Sequence, residues 1–329
     1  MTSPFDVGPR AGPPVERIEA LTREEVDDLP YGLMIFDHRG TVLLYNRYEA
    51  RMSRRAPEEV VGQSWFDEVA PCTRVQAFRG RFEAFVARGA LDEVLRFDFR
   101  FYFLHGAQDV AVQLTHAPGG AHVFVSVVRR ALQDTGERLD VALPSTTSSD
   151  GRARGGLGSV LPAPRLFFAA AFDDVHDDAS RARLARGGAA WGRALVEAVE
   201  ASAEAAHGAP LTGLPPQLAV ALLDTAFAAQ GLGRLDVDFG GKELGVLGVV
   251  VRSADLPRDV AGALYQAILE EVCRALTGRD LAAVQFACLG DVLRFAVAPP
   301  EKTSTIARWR DDGMAHNAIA QRLGLEVWT

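Results

Sequence analysis

The segment YGLMIFDHRGTVLLYN, residues 31–46, reads as two short apolar strands closed by the turn HRG, a hairpin in outline. Toward the C-terminus, RYEARMSRRAPEEVVGQSW suits short helices and loops. QAFRGRFEAFVARG carries apolar residues at helical spacing and ends on a glycine stop. LRFDFRFYFL, DVAVQLTHA and HVFVSVVRR then alternate with a period of two, the mark of half-buried strands. Two strands, small helices, one longer helix and three strands predict an α+β domain over residues 25–131, an antiparallel sheet with flanking helices. On the N-terminal side, residues 1–24 are rich in Pro, Gly and charge and read as a cap.

Further along, residues 132–164 contain LPSTTSSDGRARGGLGSVLPAP, dense in Ser, Thr, Gly and Pro without an apolar period, and read as a flexible linker. A second α/β unit follows over residues 165–299. ARLARGGAAWGRALVEAVEASAEAA and VAGALYQAILEEVCRALTGRD are helical, RLDVDFGGKELGVLGVVVRS is a hairpin turning at Gly240–Gly241, and LAAVQFACLGDVLRFAVAP is a closing hairpin. Residues 300–329 read as a helical tail. Their string IAQRLG resembles half of a helix-turn-helix, but an amphipathic helix packing on a partner is the preferred reading.

The chain has 329 residues, enough for two ordinary domains, with 48% hydrophobic and 24% charged residues. A net charge of −8 argues against nucleic acid or an anionic membrane as partner. No apolar run approaches the ~20 residues of a membrane helix, and MTSPFDVGPRAGPPVER has no apolar core for secretion. Three cysteines form no closed disulfide set and show no metal-ligand spacing, so the expectation is a cytoplasmic protein without a metal site.

The chemistry concentrates around VGQSWFDEVAPCT, where Cys72 follows a proline. A lone cysteine is most often a buried structural residue. Taken singly, Tyr45 is a strand packing residue, Glu49 and Arg55 are surface charges, and Trp65, Phe66 and Phe99 are core aromatics. Their joint occurrence points elsewhere. The strings LLYNRYE, EEVVGQSWF, EVAPCT and FRGRF, with the Arg55–Ala56–Pro57 step, resemble the photoactive yellow protein family, a group of PAS domains, over residues 29–130.

The resemblance implies that Cys72 carries 4-hydroxycinnamic acid (p-coumaric acid) as a covalent thioester. It implies that Tyr45 and Glu49 hydrogen-bond the phenolate, that Ser53 stands where the family has threonine, and that Arg55 covers the pocket. Trp65 and Phe66 replace a Phe–Phe pair, and Phe99 is an aromatic wall. Phe103 replaces a methionine and Phe97 a tyrosine. A buried phenolate needs such donors, because an unpaired charge in an apolar pocket is costly. Glu49 donates only if burial keeps it protonated.

Arg181 to Val297 is similar, by a general pattern, to the 4-vinyl reductase type of small-molecule-binding domain, here with no zinc site expected. That resemblance implies a homodimer formed through the C-terminal domain and a small apolar ligand held within it. The expected function is a blue-light photoreceptor that signals to an unknown downstream protein and has no catalytic residues. The alternative is a non-photoactive PAS-containing chemosensor binding a small apolar molecule. An enzyme acting through Cys72 is disfavoured, since no histidine is near it in sequence.

Overall fold

The computed structural model describes residues 18, 21–129, 146–147, 153–155, 158–160, 178–252, 256 and 258–327. Two compact units divide near residue 139. The expected cap and linker fall largely outside the described residues. Within the linker span, the short strands β6 (Thr146–Thr147), β7 (Ala153–Gly155) and β8 (Gly158–Val160) pair antiparallel.

The first unit opens with α1 (Arg23–Asp27), started by a capping box between Thr22 and Glu25. The hairpin expected over residues 31–46 is present as β1 (Gly32–Phe36) and β2 (Val42–Tyr45), with Met34 opposite Tyr45. Its turn is fixed by the Asp37 carboxylate, which accepts from the Arg39 and Thr41 amides at 2.8 Å each. Two short helices follow, α2 (Arg47–Ser53) and α3 (Pro57–Val60), and then α4 (Arg81–Arg88). Gly89 stops α4 at φ 61°, the left-handed conformation glycine takes without penalty. The helix expected across all of QAFRGRFEAFVARG begins late. Gln76–Gly80 forms a wide π turn, and Phe78 within it is fully buried, its ring 5.0 Å from that of Phe99 and 5.4 Å from that of Phe97.

β3 (Val94–Phe103), β4 (Gly106–His116) and β5 (Val123–Arg129) complete a five-stranded antiparallel sheet in the order β2-β1-β5-β4-β3. The last strand therefore inserts beside the first, with Gly32 opposite Val127 and Met34 opposite Val125. This pairing brings the two ends of the domain together over its aromatic core.

The second unit holds a four-stranded antiparallel sheet, β9 (Arg234–Asp238), β10 (Leu247–Arg252), β11 (Ala282–Leu289) and β12 (Val292–Ala298), in the order β11-β12-β10-β9. Helices α5 (Asp178–His207), α6 (Pro216–Ala229) and α7 (Arg258–Thr277) cover one face. Helices α8 (Pro300–Asp311) and α9 (His316–Arg322), from the segment read as a tail, cover the other. Every residue of β12 is buried as a result. Leu293, Phe295 and Val297 meet the first layer, while Ala296 and Ala298 meet the second. Among the described residues no helix is long and apolar enough to cross a membrane.

Candidate functional site

Asn46 organises the site. It is completely buried, it caps α2, and its amide is fully satisfied. The oxygen accepts from the Leu33 and Glu49 amides, each at 3.1 Å, and the nitrogen donates to the Val26 and Tyr31 carbonyls. These bonds tie α1, β1 and α2 together and leave Glu49 on the inner face of α2. Glu49 is 1% exposed.

Tyr45, at the end of β2, is fully buried and donates from its hydroxyl to Ser53 Oγ at 2.8 Å, with the Glu49 backbone carbonyl at 3.4 Å. Burial, and after it the Glu49 charge, push the Tyr45 hydroxyl well above the ordinary tyrosine range. The Glu49 carboxyl does not reach that hydroxyl. Its Oε2 lies against Gly32, so near that a Cβ there would stand 2.1 Å away, and has no hydrogen-bond partner among the described residues. Its Oε1 faces the Arg129 guanidinium at 3.7 Å. Burial raises the Glu49 carboxyl to about 7, with Arg129 acting in the opposite direction.

Cys72 sits in the 3-10 turn Pro71–Thr73, whose Thr73 hydroxyl donates to the Ala70 carbonyl at 2.7 Å. The thiol is 2% exposed and burial pushes it up to about 12, opposed by the Tyr102 backbone amide on β3. Arg55 is half-buried. Its Nη1 donates to the Val69 carbonyl at 2.9 Å, linking the end of α2 to the Trp65–Val69 turn that leads into Cys72.

Trp65 lies between Phe36, Tyr45 and Phe101, with ring centroids 5.3, 6.5 and 6.0 Å away, and its buried Nε1 lacks a partner among the described residues. Phe66 packs on Phe78 and Phe82, and Phe99 on Phe78 and Phe101. Tyr45, Glu49, Ser53 and Trp65 thus form one cluster. Phe99 belongs to the aromatic wall beyond it, and Arg55 and Cys72 lie on the segments that flank it.

A family model described as the PAS fold matches residues 20–138. The photoactive yellow protein of Rhodothalassium salexigens is 34% identical over 105 residues, 32% of this chain and 82% of that protein. The chain belongs to the photoactive yellow protein family. That of Cereibacter sphaeroides is 29% identical over 125 residues, 38% of this chain and 99% of that protein. Among solved structures, the photoactive yellow protein domain of the sensor histidine kinase Ppr from Rhodospirillum centenum is 38% identical, covering 35% of this chain and 99% of that one, with a TM-score of 0.33. Family membership rests on the first unit alone.

Within this photoactive yellow protein unit, three residues of the site escaped the sequence reading: Gly32, Asn46 and Arg129. Gly32 had a signal, an isolated glycine inside an apolar strand, which often marks a close approach. Asn46 had the signal of an N-cap before a helix. Arg129 had only an arginine pair ending an apolar strand.

Proposed function

We propose that this protein is a blue-light photosensor of the photoactive yellow protein type, carrying 4-hydroxycinnamic acid as a thioester on Cys72. The observation that carries the reading is the set of buried polar groups around an aromatic wall: the Cys72 thiol, the Tyr45 hydroxyl backed by Ser53, and the unpartnered Glu49 Oε2. Buried polar atoms without partners are rare in folded proteins, and a polar ligand supplies one account of them. The residues fit the group. When bound, it supplies visible absorption and a double bond that isomerises in light.

The chain's own residues do the rest. Tyr45 and protonated Glu49 would donate to a buried oxyanion, and Ser53, which accepts from Tyr45 in this structure, would turn to donate to the Tyr45 oxygen. Arg55 fastens the α2 end to the turn before Cys72 and keeps water out. After light is absorbed Glu49 would pass its proton to that oxyanion and be left as a carboxylate inside an apolar domain, an unfavourable state that would loosen α2. The loosening is the signal.

The second unit is the output, a dimerising or apolar-ligand-binding domain of the 4-vinyl reductase type. Its role is signal transduction rather than catalysis, toward a downstream protein. Reconstitution with 4-hydroxycinnamoyl anhydride tests the reading. A visible band is expected in the native chain and none in Cys72→Ala. A band of equal strength in Cys72→Ala, or no band in the native chain, overturns it.

A further inference from the structure

The titratable site contains one cation that the proposed photochemistry does not use. Arg129 ends β5 with its side chain 9% exposed. Its guanidinium faces Glu49 Oε1 at 3.7 Å, in ion-pair range but longer than a hydrogen bond, and lies over the Phe103 ring at 5.7 Å. Its Nε and Nη2 are buried without hydrogen-bond partners among the described residues. An arginine held that far from water is costly unless an anion is available to it. Burial lowers the Arg129 guanidinium, and the neighbouring Glu49, Tyr48 and Tyr45 act against that shift.

We infer that Arg129 is the built-in counterion of Glu49, a positioning residue that stands off while Glu49 is protonated and pairs with its carboxylate once the proton has left. The inference deepens the photosensor reading and rests on it for its biological meaning, but the pair itself exists in the protein without chromophore.

Three observations support it. Gly32 on β1 lacks a side chain where Glu49 Oε2 rests, so the carboxyl is seated beside β1. Val127, opposite Gly32, sets the β5 register and carries Arg129, two residues on, to that seat. The other ionisable groups around the pair are Tyr45 on β2, Tyr48 on α2, and Arg55 after α2, which influences Tyr45. Among these, Arg129 is the cation that bears directly on Glu49. On losing its proton, Glu49 therefore needs only a small approach to Arg129 to gain a charge-assisted bond.

The test uses the full chain without chromophore, with Glu side-chain carboxyls labelled and followed by NMR against pH, and Glu49→Gln to assign the signal. Arg129→Gln and Arg129→Met are both made, with circular dichroism to verify folding. Either folded variant is expected to raise the proton affinity of Glu49 by roughly tenfold or more, the usual effect of removing an adjacent cation. Arg129→Lys is expected to restore most of the native midpoint. A native midpoint for Glu49 in a folded variant overturns the inference, as does failure of lysine to move it back. A native chain that forms no visible band with the anhydride overturns the photosensor reading instead, and leaves the Glu49 titration to judge Arg129.

Discussion

At the scale of single residues, burial keeps two side chains protonated, with different consequences for each. Glu49 ionises at about 7 in the folded chain against an ordinary 4.5. The folded state binds that proton more tightly than the unfolded chain does. The stabilising contribution is therefore complete below about 4.5 and is lost as pH rises through 7, by roughly 3 kcal/mol in all. Denaturant unfolding of the chromophore-free protein between pH 4.5 and 8 should show this loss, and Glu49→Gln should remove most of it. Cys72 shows the other consequence. With its thiol pushed up to about 12, it stays almost wholly protonated at pH 8. Alkylation by iodoacetamide should be slow in the folded chain and fast in denaturant, so attachment of a chromophore calls for an activated acyl donor. Rapid alkylation of native Cys72 would contradict the burial. Cys72, Tyr45, Glu49 and Ser53 are singled out in the sequence by the family resemblance, whose strings lie in one short stretch of chain. Arg129 is not, because only the β1–β5 pairing brings residues 32 and 129 to one place.

Between elements, the contact that most clearly depends on residue size is α5 against α7. Gly188 and Gly192 lie one turn apart on α5. A Cβ at Gly188 would meet the Leu264 carbonyl at 2.8 Å, and one at Gly192 would meet the Ile268 carbonyl at 2.9 Å. The two helices touch backbone to backbone there, so added bulk must push them apart. Gly188→Val is expected to destabilise the chain by about 1–3 kcal/mol. Gly187→Ala, one residue away with nothing within 4 Å of its Cβ, should instead stabilise it by about 0.5–1 kcal/mol through helix propensity. Thermal unfolding of both variants checks the pair, and equal effects would sink the packing account. Here the periodic apolar pattern made the helices legible. The role of the glycine pair was not, since a glycine inside a helix looks the same in sequence whether it faces solvent or a neighbour. The π turn at Gln76–Gly80 was hidden because one turn is too short to display its own apolar period; Phe78 within it is buried.

Across the whole molecule, the strand pattern of the first unit was readable almost to its ends, because each strand alternates or runs apolar between clear turns. The second unit was readable as helices and hairpins. The placement of α8 and α9 was not, since the small residues Ala296 and Ala298 that receive them give no local sign of a second covered face. The first unit supplies the family relationship and the buried site, and the second supplies a sheet covered on both faces. The central claim is that light changes the protonation of Glu49 in a protein whose chromophore is bound to Cys72. Infrared difference spectroscopy of the reconstituted chain, illuminated with blue light, tests it most directly. Bleaching of the visible band is expected, with loss of a protonated-carboxyl signal that is absent from Glu49→Gln. A visible band indifferent to blue light, or a carboxyl signal that persists in Glu49→Gln, would contradict it.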